Sequence, residues 1–259
     1  MPRANRYFLP NHVWHITHRC HKKEFLLKFA RDRQRWRYWL FEARKRYRLC
    51  ILNYIVTSNH IHLLVRDHGD GEIAKSMQLI AGRTAQEFNQ RKGRKGAFWE
   101  DRYHATAVDA EEYLVRCMAY IDLNMVRAGA VKHPGEWPMS GYCEIQNPPA
   151  RFAVVDQAAL LEVFGLSELV QLQQASRDWV DEGLRSKQQI REGAWSESIA
   201  VGRSEFVEEI KARLGVRGVF RDSVETEGAQ VLREAAVAYG GHFAGKITSL
   251  REDNTVFLE

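Results

Sequence analysis

Two apolar, β-branched runs, residues 49–56 and His60–Arg66, are separated by little more than Ser58-Asn59. A turn signal this short between two strand formers implies an antiparallel hairpin. The second run then presents a defined face. Side chains alternate along a strand, so His60 and His62 point the same way and Ile61 points the other. Two imidazoles converging from one face can bind a metal ion. Taken alone, the pair is weak evidence, because solvated strand faces carry such pairs too.

The rest of the first half supplies partners for that hairpin. Residues 12–18 alternate and are rich in strand formers. Val13, His15 and Thr17 fall on one face, with His12, Trp14, Ile16 and His18 on the other. These histidines read as half-buried strand residues. Phe29, Trp36, Leu40 and Tyr47 recur at helical spacing, as do Ile73, Met77, Ile80, Thr84 and Phe88. Residues 103–108 read as a fourth strand. Asp109 and Glu112 then form a capping-box pattern, opening a helix that runs to about Arg127 and stops at Gly129. The order β-α-β-β-α-β-α predicts an α+β fold, a ferredoxin-like antiparallel sheet with helices on one face.

Pro134, Pro138, Pro148 and Pro149 punctuate the exit from this unit, so residues 1–149 read as one domain. Residues 150–259 read as a helical extension. Phe206, Val207, Ile210 and Leu214 make one helical face, and Val231, Leu232, Ala235, Ala236 and Tyr239 suggest another.

Charge divides the chain at the same place. Residues 1–149 hold 25 of the 38 lysines and arginines but 15 of the 33 acidic residues, a net of +10, and the remainder nets −5. A basic front half points to a polyanion, with nucleic acid first in line. Cys20, Cys50, Cys117 and Cys143 are scattered, which suggests neither a zinc ribbon nor a disulfide framework. The basic residues 1–6 have no apolar stretch behind them, and no run approaches membrane-spanning length. A reducing cytoplasm is the expected compartment.

The helix before Gly129 gives the histidine pair its context. Leu114, Met118, Ile121 and Met125 form a core stripe, while Tyr113, Cys117, Tyr120 and Asn124 share another face. Tyr120 and Asn124 are four apart and so are surface neighbours. Packed over the histidine strand, they would offer a nucleophile beside a third ligand. Considered on that helix alone, a tyrosine at a core margin and a hydrogen-bonding asparagine are the plainer readings.

Four segments in order carry a resemblance. They are Trp14-His15-Ile16-Thr17-His18-Arg19, Ser58-Asn59-His60-Ile61-His62-Leu63-Leu64-Val65, Phe98-Trp99-Glu100-Asp101-Arg102-Tyr103, and Tyr120-Ile121-Asp122-Leu123-Asn124-Met125-Val126-Arg127-Ala128-Gly129. Together they resemble the HUH single-tyrosine transposases of the IS200/IS605 type, and especially the REP-associated tyrosine transposase branch. Gly202 followed by Phe206-Val207 is similar to the longer members of that branch. The family usually has proline where this chain has Met125, so the end of the helix and the aim of Asn124 are the points at issue.

The resemblance implies a metal-dependent enzyme that cleaves and rejoins single-stranded DNA through a 5′-phosphotyrosine. Tyr120 would be the nucleophile, and His60, His62 and Asn124 would hold Mg²⁺ or Mn²⁺. The implied substrate is a short imperfect hairpin with a flanking single-stranded tetranucleotide, read partly through Arg3 and Arg6. Arg19, Lys22, Lys23, Arg91, Arg94, Lys95 and Arg102 are further expected phosphate contacts. Monomer and homodimer both remain open. Two rival readings stand beside it. One is a domesticated protein that binds hairpin DNA without cutting it. The other is an unrelated metal hydrolase, which would need further ligands such as Asp67, Asp70 or Glu72.

Overall fold

The computed structural model describes residues 9–186, 192–215, 218, 221–226 and 229–234. Arg3 and Arg6 lie outside the described residues, as do Ala235, Ala236 and Tyr239. The elements run β1 (Val13–Arg19), α1 (Ala30–Tyr47), β2 (Cys50–Val56), β3 (His60–Arg66), α2 (Glu72–Lys92), β4 (His104–Val108), α3 (Glu112–Asp122) and α4 (Asn124–Arg127). They continue with α5 (Gly141–Gln146), α6 (Gln157–Val163), α7 (Leu169–Arg185), α8 (Ala194–Glu197), β5 (Ala200–Gly202), α9 (Ser204–Arg213), β6 (Arg221–Thr226) and β7 (Ala229–Glu234).

The expected hairpin is β2–β3, and β1 lies between β3 and β4, antiparallel to both. In this register Thr17 faces His62, and His15 faces Leu64 on one side and Thr106 on the other. Directly paired residues share a sheet face. His15, Thr17, His60, His62, His104 and Thr106 therefore line one face.

The helices lie on both faces, not one. Asn53 of β2 donates a hydrogen bond to Asp122 of α3 at 2.9 Å. Tyr54, pointing to the other face, accepts one from Arg37 of α1 at 2.8 Å. Each face of a central strand so rich in buried apolar residues needs a cover, and β2 is buried along its whole length. α1 and α2 cover one face, with Trp36, Leu40, Met77 and Ile80 buried there, and α3 covers the other.

Beyond residue 150 the expected helices occur, but so do strands. The seven-stranded sheet has the order β2-β3-β1-β4-β5-β7-β6, with β5 parallel to β4 and the other pairings antiparallel. Val231 and Leu232 lie on β7, not on a helix, and are fully buried. Gly202 explains how this part docks. A Cβ there would sit 2.4 Å from Asp109 Cβ and 2.7 Å from the Phe206 ring, so only glycine lets β5 approach the end of β4. Asp109 does not cap α3. Its carboxylate accepts from the backbone and side chain of Arg203 at 3.0 and 2.9 Å, while Glu111 occupies the cap position. The long-range ion pair takes the group that local pattern assigns to the helix.

All four cysteines are free. Among the described residues no helix is long and apolar enough to cross a membrane.

Candidate active site

The two histidines of β3 are oriented by different means. His60 Nδ1 lies 2.7 Å from Asn59 Oδ1 and 3.0 Å from Thr57 Oγ1. An amide oxygen can only accept, so Nδ1 carries the hydrogen. His62 is 3% exposed, and its Nδ1 lies 2.8 Å from His15 Nε2. His15 is fully buried, and its Nδ1 lies 2.8 Å from the Trp195 carbonyl. Burial pushes the His15 imidazole down to about 3 and holds His62 well below the usual histidine range, so both are neutral near pH 7. The His60 and His62 rings stand edge to face, with centroids 5.0 Å apart.

α3 brings the other partners. Tyr120 is 7% exposed, and its ring lies 5.7 Å from that of His62 and 6.0 Å from that of His15, edge-on to both. The Arg127 guanidinium sits 4.1 Å above the Tyr120 ring and also hydrogen-bonds the Tyr120 carbonyl. The helix ends at Leu123, and Asn124 opens the short α4. That break aims the Asn124 amide at β3, with Nδ2 2.9 Å from His62 Nε2. Met125 is buried, and Gly129 ends the segment with φ +67°. Methionine instead of proline leaves Asn124 pointing at the histidines.

A cleft of about 680 Å³ joins these groups, lined by His60, His62, Tyr120, Asn124, Arg127 and, among others, Arg19, Lys23, Arg102 and Glu197. Facing the cleft are two imidazoles and one amide, which would have to turn over to present its oxygen where Nδ2 now lies. Mixed N/O donors fit Mn²⁺, and Mg²⁺ less well. Among the described residues, no group of three or more His, Cys, Asp or Glu is placed to hold a metal, so a carboxylate-rich site is absent there. Asp67 and Glu72 serve their own loop: Asp67 accepts from Gly69, and Glu72 from His68 and Asp70.

The expected phosphate contacts separate into groups. Arg19, Lys23 and Arg102 reach the cleft. Lys22 is exposed on the turn after β1, and Lys95 on the loop after α2. Arg91 pairs with the buried Asp32 between α1 and α2, and Arg94 lies 3.6 Å from Glu24. Sequence reading missed three site residues: His15, Arg127 and Trp195. His15 had one available signal, since alternation puts it on the same strand face as Thr17. Trp195 had none, because its segment reaches β4 through hydrogen bonds such as that between Ser198 and His104, 94 positions apart.

Residues 9–124 match the family described as IS200-like transposases. Among solved structures, a REP-associated tyrosine transposase bound to a REP hairpin is 21% identical, covering 61% of this chain and 96% of that one at a TM-score of 0.48. A putative transposase from Deinococcus radiodurans is 13% identical, covering 49% and 97% at a TM-score of 0.34. No curated protein matches.

Proposed function

From the match of residues 9–124 to the family described as IS200-like transposases, we propose that this chain cuts and rejoins single-stranded DNA through Tyr120. The observation that carries the proposal is the shared cleft. One tyrosine, two histidines, an amide and several cations line a single space.

In the forward step the Tyr120 phenol oxygen bonds to phosphorus, and the P–O3′ bond breaks. The phenol proton leaves to water, and the departing 3′ oxygen takes one up. The product is a 5′-phosphotyrosine and a free 3′-OH. Because the phosphodiester character is kept, attack by a 3′-OH reverses the step and reseals a strand without ATP. His60, His62 and Asn124 would hold a divalent ion, which supplies Lewis-acid polarisation of the scissile phosphate. The chain's own residues do the rest. Packing among His62, His15 and Trp195 holds the Tyr120 ring in one orientation. Arg127, over that ring, offsets negative charge gathering on the phenol and the phosphate.

Arg19, Lys23 and Arg102 would track the backbone of the strand entering the cleft. A hairpin with a single-stranded flank is the substrate we infer, as the sequence resemblance implies. We read residues 1–149 as the catalytic unit and residues 150–259 as its extension.

Cleavage of an end-labelled hairpin oligonucleotide in Mn²⁺ tests this reading. The expected products are one strand with a free 3′-OH and one with a protein-blocked 5′ end. Products carrying a free 5′-phosphate from the start would contradict it.

A further inference from the structure

The extension past residue 150 enters the centre of the site through Trp195. Its side chain is fully buried, its ring lies 6.2 Å from that of Tyr120, and its indole N–H donates to Glu192 at 2.7 Å. The backbone around it crosses the histidine-bearing face of β1 and β4. The Thr106 hydroxyl donates to the Ser198 carbonyl at 2.6 Å, and His104 Nε2 hydrogen-bonds the same carbonyl at 2.8 Å. The Trp195 carbonyl lies over His15, 2.8 Å from its Nδ1.

That carbonyl determines where every proton in the chain of rings sits. A carbonyl only accepts, so His15 Nδ1 carries hydrogen. A neutral imidazole has one N–H, so His15 Nε2 must accept. Its partner at 2.8 Å, His62 Nδ1, must then donate. His62 Nε2 is left with the lone pair, and it is the nitrogen facing the Asn124 amide. The two rings are near-parallel, within 6°, and both are buried, so neither can turn without breaking the relay.

We propose that His15, anchored by the Trp195 carbonyl, is a positioning residue that fixes His62 in its Nδ1–H tautomer and aims Nε2 into the cleft, which makes the segment around Trp195 a working part of the catalytic centre. The proposal rests on the reading of His62 as a metal ligand. In other metal sites, the group behind a ligating histidine carries about a 10–100-fold effect on affinity. Here that group is a second histidine, set in turn by a backbone carbonyl from the far end of the fold.

The test uses the full-length chain. Long-range ¹H–¹⁵N NMR of the metal-free protein reads the His62 tautomer directly, and Nδ1–H is expected. His15→Phe keeps a ring but removes the acceptor, whereas His15→Gln retains an acceptor oxygen and a donor. Mn²⁺ titration by calorimetry is expected to weaken by about 10–100-fold in His15→Phe and to recover most of that loss in His15→Gln. Circular dichroism and thermal unfolding accompany each variant. A wild-type His62 carrying hydrogen on Nε2 overturns the proposal, as does a folded His15→Phe that binds Mn²⁺ like wild type. Should wild type bind no Mn²⁺, the ligand reading falls, while the tautomer still judges His15 separately. The wild-type tautomer also decides the matter if both variants misfold.

Discussion

The Asn124 amide lies 2.9 Å from His62 Nε2, and this contact ties the end of α3 to β3 on the histidine face. It depends on a break in the helix at Leu123, one turn after Tyr120. The same break therefore sets Asn124 and Tyr120 relative to each other.

If Asn124 is a ligand, its oxygen is what counts. Asn124→Asp is expected to bind Mn²⁺ at least as tightly as wild type, because it retains an oxygen and adds charge. Asn124→Leu is expected to lose tenfold or more, on the order of 1.4 kcal/mol. Calorimetric titration of the folded variants measures both. Wild-type affinity in Asn124→Leu would remove Asn124 from the donor set.

Behind Asn124, Asp122 is buried and accepts from Asn53, and burial raises its carboxyl to about 7. The folded state thus holds a proton that the unfolded state releases near pH 4. This contribution is fully present below that pH, is lost as pH rises toward 7, and changes no further above it. Asp122→Asn is expected to match wild type near pH 4 and to gain on it up to pH 7, by roughly one kcal/mol per pH unit. Urea unfolding across that range checks it. A pH-independent difference would contradict the assignment.

Gly202 faces Asp109 with no room for a methyl group. Gly202→Ala is expected to destabilise by about 1–3 kcal/mol and to loosen the strands docked on β4. Since Trp195 enters the site seven residues before Gly202 in the chain, Mn²⁺ affinity is expected to fall as well. Thermal unfolding and titration on one preparation measure both, and unchanged stability would contradict the close packing.

The cations at the cleft predict salt dependence. Three phosphate contacts, by Arg19, Lys23 and Arg102, give a slope of about −2 in log affinity against log salt for single strands, or roughly twentyfold between 50 and 200 mM. Arg102→Gln is expected to flatten that slope by about 0.7. Fluorescence anisotropy with a labelled oligonucleotide measures it, and a flat wild-type response would exclude these residues as the backbone track.

Local pattern made the hairpin, the histidine alternation and the helix of Tyr120 legible, because each is governed by spacing within one element. What lay outside it came from pairing between distant segments. Asp109 has the spacing of a helix cap, but Arg203 reaches it from the far part of the chain. β5 has three residues, too few to alternate visibly, and Val231-Leu232 reads as well on a helix as on a buried strand. Placing helices on one face followed from element order alone. The full burial of β2, evident in its run of Cys50-Ile51-Leu52-Asn53-Tyr54-Ile55-Val56, was the available sign that both faces are covered. Alternation puts His15 on the Thr17 face, but its contact with His62 is diagonal and is fixed by strand register, since Thr17 and not His15 lies directly opposite His62.

The central claim is that Tyr120 becomes covalently joined to DNA. Full-length protein is incubated with a labelled hairpin oligonucleotide and Mn²⁺, then denatured and resolved on a gel, with adducts mapped by mass spectrometry. A labelled band at the mass of protein plus cleaved strand is expected, with the phosphate on Tyr120, and Tyr120→Phe is expected to lose both band and cleavage while still binding the hairpin. Cleavage that persists in Tyr120→Phe, or an adduct on another residue, would contradict the account.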